Sequence, residues 1–339
     1  MHPVVLPDLA VPLAPLTSLR LGGPTRRFVE AESADEVVEA LRDADEPVLV
    51  MGGGSNLVIA DAGWPGVVVR ISSRGRRVER RPDGSVLLTV EAGEEWDDVV
   101  AATVADGFGG LECLSGIPGR TGAVPVQNVG AYGVEIAEAL VDVDLLVDGV
   151  VRRVPAAELG LAYRTSVLKG RSDAVVLRVR IALPGGARSA PIRYAELASA
   201  LGVAPGERVP AAVAREAVLA LRRGKGMVLD PADHDTWSAG SFFTNPVLAE
   251  APSGAPSWPV GDRVKVSAAW LIERSGFRRG YLGPGGRVAL SSRHVLALTH
   301  RGGGTTADLL ALAAEVRDGV RARFGVVLSP EPVLVGCAL

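Results

Sequence analysis

Four side chains sit where their chemistry stands out. Arg164 follows Tyr163 in a largely apolar segment, where an arginine is rarely left unpaired. It can clamp a carboxylate bidentately, although a structural ion pair is the commoner use of such a residue. Ser241 lies between Gly240 and the pair Phe242-Phe243, in a chain that is only 4% aromatic. A strand-edge hydroxyl is the ordinary reading there, and a reactive one the alternative. Glu331 is flanked by Pro330 and Pro332 near an otherwise apolar strand. A carboxylate held so rigidly can act as a hydrogen-bonding partner of raised pKa, or it can lie in an exposed turn. Lys225, between two glycines, suits a phosphate, while most such lysines are simply solvated. No His/Cys/Asp/Glu spacing suggests a metal. No Walker A sequence, G-x-S-x-G elbow or Cys–His pair is present, and the four histidines are scattered.

Two glycine-rich stretches must hold something between elements. Gly116 to Gly133 contains five glycines and two prolines with hardly any charge, and it carries Ile117, Val124, Val126, Val129 and Tyr132. That composition implies a buried or half-buried loop, which must satisfy its own backbone groups. Gln127 and Asn128 can supply both donors and acceptors. The loop reads as backbone wrapped round a large polar ligand, with a compact structural loop as the equal alternative. Gly52-Gly53-Gly54-Ser55-Asn56 follows the apolar strand Pro47 to Met51. It is not a dinucleotide fingerprint, because Leu57 takes the third glycine position and strands, not a helix, follow. A glycine turn whose N–H groups converge on an anion remains open.

The elements that position these stretches alternate along the chain. Arg27 to Glu30 is expected as a strand, and Ser33 with Glu36 as the capping box of a helix whose buried face is Val37, Val38 and Leu41. Strands follow at Val58-Ile59 and Val67 to Ile71. The basic, polar run Arg74 to Asp83 marks a domain boundary. Val86 to Glu91 is a strand and Trp96 to Ala105 a helix ended by Gly107. Val141 to Val147 and Val150 to Val154 form a hairpin about Asp148-Gly149, and Ala174 to Leu183 is a further strand. Val209 to Arg223 is helical. Ala251 to Pro259 reads as a surface loop. Ser267 caps a helix from Ala268, Thr306 caps a long helix from Ala307 to Phe324, and Val326 to Val335 is a last strand broken at Glu331.

The 339 residues are too many for one small core. Lys plus Arg is 36 and Asp plus Glu 39, a balance of −3 that argues against nucleic acid. No apolar run approaches a membrane span. Met1 to Leu21, broken by prolines and without a basic start, is not expected to be a signal peptide. Cys113 and Cys337 are expected as reduced thiols in a cytoplasm.

Taken in order, Gly52 to Asn56, Gly116 to Gly133, Tyr163-Arg164-x-Ser166, Gly240-Ser241-Phe242-Phe243-x-Asn245-Pro246 and Pro330-Glu331 closely resemble the UDP-N-acetylenolpyruvoylglucosamine reductases, in their type I form. The resemblance runs from about Leu16 to Val335. It implies an α+β protein with a two-part FAD-binding domain of the vanillyl-alcohol-oxidase (PCMH) type and a C-terminal α/β substrate domain. Residues 1–73 with 326–339 would form the first FAD subdomain, 74–224 the second with an insertion bearing Tyr194, and 225–325 the substrate domain.

By the same resemblance, FAD is bound non-covalently. Gly52, Gly53, Gly54, Ser55 and Asn56 would cradle its pyrophosphate, and Gly116, Pro118, Gly119, Gly122, Gln127, Asn128, Gly130, Ala131, Tyr132 and Gly133 would wrap the flavin. NADPH would supply a hydride through flavin N5 to the enolpyruvyl ether of UDP-N-acetylglucosamine, giving UDP-N-acetylmuramate for peptidoglycan. Arg164 and Glu331 would stabilise the developing charge, and Ser241 would protonate the enol carbon. Tyr194, Lys225, Asn245 and His294 would hold the substrate. A cytoplasmic monomer is expected. Thr165, Leu168 and Ser329 depart from the family pattern without touching the three catalytic positions. An alcohol-oxidising flavoenzyme of the same fold and a non-catalytic nucleotide-sugar sensor are the competing readings; intact Arg164, Ser241 and Glu331 argue against the sensor.

Overall fold

The computed structural model describes residues 10–339 and, of the first nine, only the strand Val4–Leu6. The absence of a leader, expected over Met1 to Leu21, falls partly outside those residues. The architecture is α+β, in two compact units: residues 1–11, 25–53 and 65–223, and residues 12–24, 54–64 and 224–339.

The first unit is built on two sheets. One has the order Val4–Leu6, Pro24–Ala31, Trp64–Ile71 and Val48–Met51, the last pair parallel. The other is an antiparallel sheet in the order Val150–Pro155, Leu140–Val147, Ala174–Leu183, Val86–Glu91 and Arg76–Arg80. Its central strand buries both faces. Val175 and Leu177 pack with Val29, Val37, Val67 and Val69, while Val176, Val179 and Ile181 pack with Trp96, Val100, Leu114 and Val218. A register shift at Asp144/Leu145 sends side chains to the second face. The hairpin turn forms as expected: Asp148 and Gly149 have φ of 51° and 73°, the pair of positive values that matches strand twist.

The second unit gathers helices Ala268–Arg274 and Thr306–Phe324 with the pair Val288–Leu290 and Leu298–His300 around Phe242, Phe243, Leu271, Leu309, Leu312 and Val316. Leu57–Ile59 and Val333–Val335 pair in parallel, so the chain's end meets a segment some 270 residues earlier. No described helix is long and apolar enough to cross a membrane.

Five local expectations change. Arg76–Arg80, inside the polar boundary run, is an edge strand, and so is Ser257–Val260, which was expected as loop. Neither has a buried face to create an alternating pattern. The long helix is capped by Thr305, not Thr306: Thr305 Oγ1 accepts from Asp308 N–H, and Asp308 returns the bond to Thr305 N–H. Asp61 fills the neighbouring donors, taking the N–H groups of Thr306 and Ala307 at 2.7 and 2.9 Å. Ser33 does cap its helix, but Glu36 reaches Glu32 N–H and not Ser33's own. The last strand is only Val333–Val335, because the two prolines around Glu331 withhold ladder donors.

One buried carboxylate staples the first unit. Glu112, fully buried, accepts from Gly110 N–H and from Ala190 N–H, each at 2.6 Å. Glu112→Ala leaves both donors unsatisfied and should cost about 2–5 kcal/mol. Urea unfolding followed by circular dichroism measures it; a loss below about 1 kcal/mol would show that the two bonds are dispensable.

Candidate cofactor and catalytic sites

In the first unit, the loop from Gly116 to Gly133 is fastened at each stage. Gly116 donates its N–H to Asp97 Oδ1 at 2.6 Å, and its carbonyl accepts from Arg222 at 3.2 Å. Asp97 is itself gripped by Arg215 through two bonds of 2.6 and 3.0 Å. Burial raises the Asp97 pKa, but the hydrogen bonds from Arg215 and Gly116 outweigh it and hold the carboxyl below its usual range. Gly119 accepts from Trp96 N–H, and Thr121 and Gly122 donate to Glu94 and Ala92. A Cβ on Gly122 would lie 2.6 Å from the Ala92 methyl, so only glycine fits.

The glycine stretch after Met51 meets this loop. A Cβ on Gly53 would stand 2.8 Å from Gly119 Cα, and one on Gly52 would stand 3.0 Å from Arg120 Cβ. Among the described residues, no acceptor takes the N–H groups of Gly53, Gly119 or Arg120. Three donor amides are thus gathered with nothing to donate to, which suits an anion. The Arg120 guanidinium lies buried beside them, bonded to the Gly93 carbonyl and paired with Glu95 at 3.2 Å.

The rest of the loop is scaffold as much as lining. Asn128 is fully buried with φ of 47°. Its amide donates to Glu135 and to the Ala162 carbonyl and accepts from Ala137 N–H, so its side chain holds the loop. Tyr132 and Gly133 form the two-residue turn between Gly130–Ala131 and Val134–Glu135, with φ of 50° and 82°. Burial pushes the Tyr132 phenol up to about 12, so it stays neutral and able to donate. Its ring meets Tyr194 edge-on, with centroids 5.4 Å apart. Arg164 donates to the Gly130 carbonyl at 2.8 Å. In this unit Gly52, Gly53, the loop and Arg164 are therefore joined, with Tyr194 at the loop's Tyr132.

In the second unit, a run of backbone bonds joins the other candidates. Glu331 N–H donates to the Phe242 carbonyl at 2.8 Å, Thr244 N–H to Ser329 at 3.1 Å, and Val333 N–H to Asn56 at 2.9 Å. Ser241 is thus one residue from the bond that fixes Glu331, and Glu331 is two residues from the bond that reaches Asn56. Ser18 Oγ ties the Ser238 carbonyl at 2.7 Å and the Ser55 carbonyl at 3.3 Å. Gly240, with φ of 71°, turns the chain into Ser241 and donates to Ser238 Oγ. Phe242 and Phe243 are both buried in the unit's core, their rings meeting edge-on with centroids 5.1 Å apart, and they anchor the segment. Asn245 braces the start of the helix Ala268–Arg274, which Ser267 caps, its Oδ1 accepting from Ala268 N–H at 2.9 Å.

His294 belongs to a second group, organised by Asp235, and Lys225 lies next to it in the chain through Gly226. The Asp235 carboxylate accepts from Ser291 Oγ, Ser292 Oγ, Ser292 N–H and Arg293 Nε, all at 2.9–3.0 Å, and from Arg301 at 3.2 Å. Burial works against its charge, and these donors together keep its pKa low. Ser291 Oγ in turn accepts from His294 N–H, and Gly226 packs against Asp235 and Arg293.

A family model described as FAD binding domain matches residues 25–153, and one described as UDP-N-acetylenolpyruvoylglucosamine reductase, C-terminal domain, matches residues 230–335. The reductase of that name from Saccharopolyspora erythraea is 63% identical, over 96% of this chain and 95% of the relative. The one from Salinispora arenicola is 55% identical, over 99% and 97%. The chain belongs to the UDP-N-acetylenolpyruvoylglucosamine reductase family. The crystal structure of the reductase from Thermus caldophilus is similar throughout, with a TM-score of 0.68 at 26% identity and 99% of both chains covered.

Within this family frame, the FAD-binding match spans every cofactor candidate from Gly52 to Gly133, and the C-terminal match spans Ser241, Asn245, His294 and Glu331. Arg164, Tyr194 and Lys225 fall outside both. Two residues escaped sequence reasoning. Arg120, a lone charge inside an uncharged glycine loop, was a readable signal. Asp235 was not, because its partners lie more than 50 residues away.

Gly53→Ala should force the two loops apart and weaken FAD by at least about tenfold, the effect of about 1.4 kcal/mol; fluorescence titration of the flavin-free protein measures it, and unchanged affinity would dissociate the cradle from FAD. Asp97 also predicts acid sensitivity. Its folded pKa lies below the ordinary 3.8, so its contribution is complete above that value and is lost as pH falls through the lower folded value. Thermal melts of the Asp97→Asn variant should therefore vary less between pH 5 and 3 than those of the parent chain, and parallel curves would contradict this.

Proposed function

We propose that the chain is an NADPH-dependent UDP-N-acetylmuramate dehydrogenase, acting in the cytoplasm on the enolpyruvyl ether of UDP-N-acetylglucosamine in peptidoglycan precursor synthesis. Family membership over nearly the whole chain supports the reaction class. The observation that carries the catalytic reading is local: Ser241 and Glu331 lie on two backbone segments bonded through Phe242 and Glu331 N–H. Bound FAD supplies the chemistry of hydride transfer, from NADPH to the terminal vinyl carbon of the substrate.

Each protein group then has a separate task. The Ser241 hydroxyl delivers a proton to the carbon that becomes negatively charged. A serine is a weak acid, matched to so basic a centre. Arg164 holds the substrate carboxylate, on which part of that charge is spread, and Glu331 completes the polar surroundings. Their value lies in being oriented before charge develops, which the bonds at Gly130 and Phe242 provide. Gly52 to Asn56 and Gly116 to Gly133 hold FAD, mostly through backbone, with Asn128 as an internal brace. Tyr194, Lys225, Asn245 and His294 hold the nucleotide sugar. Asn245 has its side-chain oxygen committed to Ala268, so it would offer its amide N–H groups to the ligand. In the same reading, residues 1–73 with 326–339 and residues 74–224 serve the cofactor, and residues 225–325 serve the substrate.

The test separates the half-reactions by anaerobic stopped-flow absorbance at the flavin band. In Ser241→Ala, reduction by NADPH should persist while reoxidation by the enolpyruvyl nucleotide sugar slows by about 10²–10⁴-fold. Equal loss in both would remove the serine from the proton-donor role. A chain that cannot be reconstituted with FAD would sink the whole reading.

A further inference from the structure

Arg164 occupies a backbone position that its side chain disfavours. Ala162 and Thr165 exchange both N–H···O bonds, at 3.1 and 3.2 Å, and so close a two-residue reversal over Tyr163 and Arg164. Arg164 has φ of 54° there. The second central position of a turn with positive φ is ordinarily glycine or asparagine, since an L side chain crowds the carbonyl that follows. Such a conformation persists only where its surroundings over-determine it.

Those surroundings can be named. From the loop side, Asn128 donates to the Ala162 carbonyl at 3.2 Å, and the Val126 carbonyl accepts from Ser166 Oγ at 2.6 Å. Ser166 Oγ also takes Leu168 N–H at 3.1 Å. These bonds fix the two ends of the reversal. The peptide group that follows the strained residue is held at both of its polar atoms: Thr165 N–H donates to the Ala162 carbonyl at 3.2 Å, and Lys169 Nζ donates to the Arg164 carbonyl at 3.0 Å. Lys169 is half-buried, and an ammonium on a carbonyl is a charge-assisted bond, stronger than a neutral one. If that peptide plane rotates, ψ at residue 164 and φ at residue 165 change together, the turn is distorted, and the guanidinium is drawn off the Gly130 carbonyl.

We propose that Lys169 is a positioning residue for Arg164: its ammonium pins the carbonyl of the peptide plane that leads out of the left-handed residue, keeps the turn from relaxing, and so aims the guanidinium. Lys169 does not touch the substrate; it acts through Arg164. The inference rests on the reading of Arg164 as the group that holds the substrate carboxylate, and it adds a residue to that site.

The experiment uses the FAD-loaded full chain with Lys169→Met and Lys169→Arg. Reoxidation of the reduced flavin by the enolpyruvyl nucleotide sugar should slow by about 10- to 100-fold in Lys169→Met, the effect of a misplacement near 1 Å. Flavin reduction by NADPH should stay within about twofold of the parent chain, and Lys169→Arg should restore most of the lost rate. A crystal structure of Lys169→Met, the readout independent of turnover, should show residue 164 outside the left-handed region or its guanidinium away from Gly130. The proposal is overturned if substrate reoxidation is unchanged, if both half-reactions fall equally, or if Arg164 has not moved. Should the parent chain fail to turn over the nucleotide sugar at all, the functional reading fails, and the crystal structure still decides whether Lys169 holds Arg164.

Discussion

The backbones at Gly53 and Gly119 approach more closely than any side chain permits, and the first unit is built to sustain that approach. Bringing two loops together without side chains costs the order that glycine lacks. The structure offsets this by fastening the loop elsewhere. Gly116 is held on its N–H by Asp97 and on its carbonyl by Arg222, from two different helices. Gly122 lies on Ala92 at the end of a central strand. Asn128, buried within the loop, answers donors and acceptors that would otherwise be orphaned. What the close approach leaves over, among the described residues, is a set of N–H groups with no protein acceptor, an arrangement that suits an anionic ligand.

The second unit reaches a similar end by different means. Its candidates are placed by a ladder of main-chain bonds between two non-helical segments, 240–244 and 329–333. Pro330 and Pro332 stop this pairing from growing into a full strand, and Glu331 keeps its N–H for the one bond that matters, to Phe242. The paired phenylalanines give the segment a hydrophobic anchor, so Ser241 is presented by packing beneath it. Asp235 plays the corresponding part for the turn that carries His294, with five donors on one carboxylate. A charge so thoroughly bonded is worth little as an acid or base and much as a fixed point.

How far this could be read in the sequence depends on whether the signal was local. Asp148-Gly149 names its own turn type, and Ser33 and Ser267 name their caps, because the relevant geometry spans three or four residues. The candidate site was legible as motifs, and the glycines implied close backbone contact before any contact was known. Arg76–Arg80 and Ser257–Val260 were not legible as strands. Edge strands need no buried face, and charges or proline along them protect the sheet from further pairing, so their usefulness hides their pattern. Asp235 and the loop's hold on Arg164 were illegible for another reason: their partners are distant in the chain, and no single residue type announces them.

Backbone strain shows where that distant information was spent. Six described residues other than glycine have positive φ: Arg20, Asn128, Tyr132, Asp148, Arg164 and Ala187. Asp148 sits in a hairpin turn that favours it. Asn128, Tyr132 and Arg164 are tied together through Ala162 and Gly130, in the one region where sequence motifs had already concentrated. A fold free to choose would place glycine at such positions, as it does at 28 others. Tyrosine and arginine there forgo backbone comfort for the sake of a ring and a guanidinium, and the surrounding bonds meet the strain. Strain alone does not assign a function. Three such residues gathered about one loop of unmet donors are harder to explain by packing, since packing would be served equally well by the relaxed residue.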